Sequence, residues 1–250
     1  MNSLLTNRVK TVFAYILAIG TVIAIIIFIA MRQTSDLNFN SYQPYHNLII
    51  RGVRNTVWIS FLSLIGSMVI GFVFYLLQKS KIKYFNALVD VITEIVYGTP
   101  LLVLIILMAF LIGPAFGFRN INVVGIFALV FYMSPYMKNV FKSAFSSISE
   151  EQYMAMDLFG FTFLQRYVYI IIPQVARILM PPLMNNFSLI IKGSALLHVL
   201  SYPELFQAIT AAQSRSFAFV EGYLLMWLLY LIITIPISQL TKLIEMKWSL

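Results

Sequence analysis

The chain has 250 residues, 60% of them hydrophobic and only 10% charged, with a mean hydropathy of +0.88. Ordinary soluble domains carry about 45–50% apolar and about 25% charged residues, so a soluble body is excluded. The net charge of +8 sits on lysines and arginines near the ends of apolar runs rather than in a patch suited to nucleic acid, and with 0 cysteines no disulfide or thiolate metal site is available.

Taken in order, Thr11 to Met31 is uncharged, follows Arg8 and Lys10, and lacks a small-residue cleavage site, which predicts a retained first span. Arg32 to Arg54 reads as a polar connection containing Pro44. Asn55 to Leu77 predicts a second span in which Gly66 and Gly71 allow close helix contact, followed by a basic turn with Lys79, Lys81 and Lys83. The third apolar region, Phe85 to Ile112, carries Asp90, Glu94 and Gly98-Thr99-Pro100. Proline removes one helical hydrogen bond and pushes its predecessor out of helical geometry, so a broken span is expected, buried in protein or lining a wet cavity. Ile121 to Val140 is the fourth span, with Pro135 late in it. Val175 to Leu200 is the fifth, with Pro181-Pro182, Asn185-Asn186 and Lys192, and Tyr223 to Leu240 the sixth, with Pro236.

Between the fourth and fifth spans lies a polar island, Ser147 to Arg177. A helix over Ser149 to Phe159 places Met154, Ala155, Leu158 and Phe159 on one side, with Glu150 and Asp157 on the other. Gly160 suits a left-handed C-terminal cap, and Thr162 with Gln165 has capping-box spacing, which predicts a second short helix. Pro173 closes that turn or opens the next helix. Placing the island in the cytoplasm puts eleven basic residues inside (Arg8, Lys10, Lys79, Lys81, Lys83, Lys138, Lys142, Arg166, Arg177, Lys242, Lys247) against five outside (Arg32, Arg51, Arg54, Arg119, Arg215), with both termini inside.

Glu94 and Lys192 are ionisable residues in apolar regions and cost at least a few kcal/mol each if left facing lipid. Either they face a wet cavity or each other, or Lys192 snorkels to the outer interface and Glu94 lies near the inner one. Asn185 and Asn186 serve equally as cavity lining or as polar contacts between helices. His46 and His198 have no metal-ligand spacing, and no nucleophilic or acid–base constellation is present. Gly66 to Gly71 has phosphate-loop glycine spacing but lacks the following Lys and Ser/Thr, so no ATP site arises there.

The island resembles the cytoplasmic loop of ABC importer permease subunits, in the polar amino acid uptake family. That loop has the form E-A-A, three residues, G, then an apolar-Pro pair; here Met154-Ala155-Met156, Asp157-Leu158-Phe159, Gly160 and Ile172-Pro173 take those places. Glu94 with Gly98-Thr99-Pro100-Leu101-Leu102 resembles E-x-x-R-G-T-P-L-L. Pro181-Pro182-Leu183 with Asn186-Phe187 resembles P-P-L-x-N-x-F, Lys192 to Leu196 resembles K-D-T-S-L, and Tyr202 to Leu205 resembles V-P-E-L. Departures from the pattern are Met154 and Met156 in the triplet, Tyr97 in place of Arg, and Gly193 in place of the acid.

This resemblance implies an all-α integral membrane protein of six transmembrane helices: a type I importer permease fold with a five-helix core and an added N-terminal helix. The first domain covers residues 1–50, and the permease domain covers 51–250 with its coupling loop at about 147–174. The expected role is the permease of an ATP-driven importer in a bacterial cell membrane. Its partners would be two separate ATPase subunits, a second copy or a related permease, an extracytoplasmic solute-binding protein and membrane lipid. The solute would be a polar amino acid or a close analogue; alternatives are another small solute such as an opine or modified amino acid, or a membrane sensor without transport. Tyr153, Met154, Ala155, Met156, Asp157, Leu158, Phe159 and Gly160 are the expected ATPase contacts. Glu94, Thr99, Asn185, Asn186 and Lys192 are the candidate pathway residues. No cofactor, metal or catalytic group is expected.

Overall fold

The computed structural model describes residues 2–32 and 37–248, and no strand occurs among them. The helices are α1 (Asn2–Met31), α2 (His46–Gln78), α3 (Lys83–Gly98), α4 (Leu101–Ala115), α5 (Ile121–Ser146), α6 (Glu150–Leu158), α7 (Phe163–Leu200), α8 (Leu205–Ser216) and α9 (Phe219–Trp248). Among the described residues, 5 helices are long and apolar enough to cross a membrane, or 6 if the bent pair α3–α4 is one span. The first 39 residues form one compact unit and the chain from Asn40 onward another. Within the first unit, α1 exposes every described side chain from Lys10 to Ile29, as expected of a helix whose surroundings are apolar on all sides.

The broken third span is present. α3 and α4 meet at 111°, with Thr99 extended at φ −105°, ψ 121° as the residue before Pro100. The Thr99 hydroxyl donates to the Ile95 carbonyl at 2.6 Å, using one of the acceptors freed at the helix end.

The most extensive packing in the second unit is α2 against α5. Thr56, Ser60, Ser63, Ser67 and Gly71 recur at helical spacing on α2 and are buried. Such a stripe lets backbones approach closely. A Cβ on Gly71 would lie 2.5 Å from Met137 Cβ and 2.9 Å from the Ser134 carbonyl oxygen, and one on Gly66 would lie 2.6 Å from Val130 Cγ2. Both glycines therefore make the close contact their positions predict.

Three boundaries differ from the sequence expectation. The supposed connection Arg32 to Arg54 folds in part: Phe39–Tyr45 is a 3-10 turn, and α2 starts at His46, so Arg51 and Arg54 lie on its exposed face; residues 33–36 of that connection lie outside the described residues. No breaker follows Pro44 to stop the helix. α5 runs on to Ser146 and so takes in Lys142 as well as Lys138, both counted with the inside loops; Lys138 is 4% exposed, and its ammonium donates to Thr93 Oγ1 of α3 at 3.1 Å. Asp90 and Glu94 are near enough to act on it electrostatically. Finally, the short helix predicted at Thr162 is not separate. It continues without a break through a π-turn, Arg166–Ile171, into the fifth span. The wider π-turn lets the chain absorb Pro173, which lacks the donor an α-helix needs.

At the other end of the bundle, Glu204 is fully buried and caps α8, accepting from the Phe206 and Gln207 N–H groups at 2.8 and 2.7 Å and from the Tyr230 hydroxyl at 2.9 Å. Burial pushes its carboxyl up from the ordinary value, and the three donors pull it partly back. Leu205 N–H donates to Thr56 Oγ1 at 3.0 Å, tying this cap to α2.

Candidate functional site

The loop between α5 and α7 is built as a self-supporting knob. Ser149 caps α6, its hydroxyl accepting from the Gln152 N–H at 3.4 Å. At the other end the Phe161 N–H donates to Met156 O and the Gly160 N–H to Asp157 O, both at 3.0 Å. With Gly160 at φ +68°, this pattern is a Schellman motif, and its usual apolar contact between the third-last helical residue and the residue after the glycine falls to Met156 and Phe161. Thr162 and Gln165 close the expected capping box.

Met156 is the anchor. It is 4% exposed and packs with Ala144, Ile148, Ile171 and Val175, while Tyr153 and Phe161 lie against the same cluster. The knob thus rests on the ends of α5 and α7 through the third position of its triplet, where a larger side chain than alanine fills the seat. Two polar clips reinforce it. Arg166 of α7 forms an ion pair with Asp157 of α6 and donates from Nε to the Phe161 carbonyl at 2.8 Å. Gln174 Nε2 donates to Gln152 Oε1 at 3.3 Å. Asp157 is 62% exposed, which limits the value of the ion pair to less than about 1 kcal/mol. Arg166→Ala, which also loses the hydrogen bond to the Phe161 carbonyl at about 1 kcal/mol, is accordingly expected to lower the melting temperature by about 3–6 °C, as read by a thermal melt in detergent.

The remaining residues of the knob point outward. Met154 is 57% exposed, Leu158 87% and Phe159 82%, and Phe163 and Leu164 at the start of α7 are 73% and 69% exposed. Ala155 and Gly160 are exposed beside them. The side of α6 that reads as apolar therefore faces away from the bundle. A contiguous apolar tip of this kind marks an interaction surface.

The candidate pathway residues separate. Asn185 and Lys192 line one groove of about 830 Å³ between α7 and α9. With Ser188 they form a polar row at spacings of three and four on α7, facing Thr234, Ser238 and Thr241 of α9. Asn186 points elsewhere: it is buried, with Nδ2 3.7 Å from Met137 Sδ. Thr99 shapes the break between α3 and α4. Glu94 is exposed on α3, and no ion pair joins it to Lys192 among the described residues. Tyr97, which stands where the resemblance has Arg, accepts from Asn139 Nδ2 at 2.7 Å and packs on Tyr136 with ring centroids 4.9 Å apart. Gly193 opens onto a cavity of about 280 Å³ walled by Leu101, Leu129, Tyr132 and Tyr136.

The Arg166–Asp157 clip and the hydroxyl lining of the groove were missed from sequence. The row Asn185, Ser188, Lys192 was a usable signal, being polar at helical spacing in an apolar run. Nothing local marked the Arg166 partner.

The chain matches the profile of the family described as binding-protein-dependent transport system inner membrane component over residues 67–249. It is 30% identical over 209 residues to a probable amino-acid ABC transporter permease protein of Bacillus subtilis, covering 82% of this chain and 90% of that one. With the glutamine transport system permease protein of Escherichia coli it shares 25% identity over 217 residues, covering 86% and 99%. Among solved structures, an amino acid ABC transporter crystallised with histidines superposes with a TM-score of 0.76 at 27% identity, covering 85% of this chain and 100% of that one. An inward-facing methionine ABC transporter shares the fold, with a TM-score of 0.62 at 18% identity, covering 81% and 98%.

Proposed function

The chain belongs to the binding-protein-dependent transport system inner membrane component family, and we propose that its knob couples a separate ATPase to a solute groove on α7 and α9. It is a multi-pass transport subunit of an ABC importer, and ATP hydrolysis falls to a partner chain. The observation that carries the coupling reading is the knob itself: capped at both ends, anchored by Met156, and presenting Met154, Leu158 and Phe159 to something outside the chain.

The proposed assembly has two ATPases, a second copy of this chain or a related permease, and an extracytoplasmic solute-binding protein in a bacterial cell membrane. Both termini and the knob lie on the cytoplasmic side, an orientation supported by the basic turn Lys79 to Lys83 at the same end as the knob. The permease domain is proposed to span residues 51–250. The solute is a polar amino acid or close analogue. In the groove, Lys192 supplies a cation for the solute carboxylate, and Asn185, Ser188 and the α9 hydroxyls supply hydrogen bonds along the route. Polar groups of this kind at membrane depth are tolerated where they face protein or a water-filled cavity rather than lipid.

Reconstitution of the full complex in proteoliposomes tests this, with labelled amino acids outside and ATP at the ATPase face. ATP-dependent accumulation of a polar amino acid is expected; none for any amino acid, with no ATPase co-purifying in mild detergent, overturns the reading. Lys192→Met is expected to raise KM for the solute about 10- to 100-fold, the worth of a charge-assisted hydrogen bond at about 1.5–3 kcal/mol. An unchanged KM removes Lys192 from the pathway.

A further inference from the structure

A cavity of about 550 Å³ lies outside the solute groove, where the knob-side ends of α2 and α5 meet α6. Lys79, Lys142, Gln78 and Ser146 line it from the bundle, and Glu150 and Tyr153 from α6. We propose that this cavity binds the phosphodiester headgroup of an anionic membrane lipid, of the phosphatidylglycerol type, and that the lipid bears directly on the position of α6.

Charge is the first argument. Neither Lys79 nor Lys142 has an ion-pair partner among the described residues. Within the lining, two ammonium groups stand against the one Glu150 carboxylate and leave one positive charge, the complement of one phosphodiester; Asp90, which accepts from Gln78 at 2.7 Å, is not part of the lining and acts on the buried Lys138. Lys81 on the adjoining turn and Lys83 at the start of α3 add to the attraction, and basic residues at a membrane surface gain from anionic lipid.

Position selects lipid over a soluble anion. The candidate span that includes α2 ends at Gln78, immediately before Lys79, so the cavity opens at headgroup level. Its wall is amphipathic: the rings of Tyr75 and Phe145 stack with centroids 5.2 Å apart, and the Lys79 ammonium lies 5.9 Å from the Tyr75 ring. A phosphate and its hydroxylated glycerol would meet the lysines, Ser146, Gln78 and Glu150, leaving the acyl chains to follow the aromatic wall outward. Tyr153 joins this cavity to the knob, since it also packs against the Met156 cluster. The effect on coupling rests on the function proposed above; the binding does not.

Native mass spectrometry of the full chain, released from micelles containing equal phosphatidylglycerol and phosphatidylcholine, tests the site without ATPase or solute. One phosphatidylglycerol retained about tenfold over phosphatidylcholine is expected, with the preference lost in Lys79→Ala/Lys142→Ala and kept in Lys242→Ala. Equal retention of the two lipids by the wild-type chain overturns the proposal, as does a preference that the double variant keeps. Displacement of the retained lipid by millimolar inorganic phosphate identifies a soluble-anion site and overturns the lipid assignment. If transport fails in proteoliposomes while the lipid preference stands, the coupling reading falls and the site remains.

Discussion

Phe159→Asp is expected to abolish ATP-driven uptake while leaving the fold intact. Phe159 is 82% exposed and touches no part of the knob's own core, so its replacement should change stability by no more than about 0.5 kcal/mol, as surface substitutions do. In the proposed complex the same side chain enters the ATPase, and burying a carboxylate there without a matching donor would cost several kcal/mol. An interface anchor of this kind is worth at least about 2 kcal/mol, so capture of the ATPase should weaken at least 30-fold. Co-purification of the ATPase and uptake in proteoliposomes read the effect, with circular dichroism as the fold check. Uptake within twofold of wild type removes the tip from the coupling surface. Gly160→Trp probes the same point differently. No atom lies within 4 Å of its would-be Cβ, but φ is +68°, so the variant folds with a strain of about 1 kcal/mol and presents an indole at the tip. Retained ATP-dependent uptake in that variant would sink the coupling role.

Gly71→Leu is expected to do the reverse, removing the folded protein rather than its coupling. The would-be Cβ meets Met137 Cβ at 2.5 Å and the backbone of Ser134 and Lys138 at 2.9 Å. Backbone cannot rotate aside, so α2 and α5 must separate across their largest shared face. Overpacking typically costs about 1–3 kcal/mol even where side chains can adjust, and a leucine against backbone should exceed that range. Almost no detergent-stable monodisperse protein should be recovered, whereas Gly98→Ala, at a position with no atom within 4 Å of the would-be Cβ, should express normally. A Gly71→Leu chain that purifies with wild-type melting behaviour contradicts the packing.

The apolar runs, the Pro100 break, the Gly66 and Gly71 contacts, and the capping box at Thr162 were all legible, because each is a local rule written in a few neighbouring residues. Lys138 was misplaced because a lysine near a span end usually marks the interface; its burial is made tolerable by Thr93, 45 residues earlier, and by the nearby carboxylates of Asp90 and Glu94. The continuity of α7 was hidden for a related reason. Gly160 and Pro173 both read as breaks, but only the first is one, since a π-turn carries the helix past the second. The knob's location was therefore readable and its orientation was not. Which side of α6 packs inward depends on the ends of α5 and α7, and these seat Met156 while leaving Met154 and Phe159 outside.

α7 has 38 residues, from the knob to beyond the groove, a rod of about 55 Å at 1.5 Å per residue. Lys192 lies 26 positions along it from Arg166, about 39 Å away by the same rise. Pivoted near the knob, such a rod tilted by only about 5° sweeps its far end through about 5 Å, wider than a water molecule. If the knob moves as proposed, a small angular displacement at the Asp157–Arg166 clip would be amplified geometrically into a shift of several ångströms at the far end of α7, with no residue in between needing to change its rotamer.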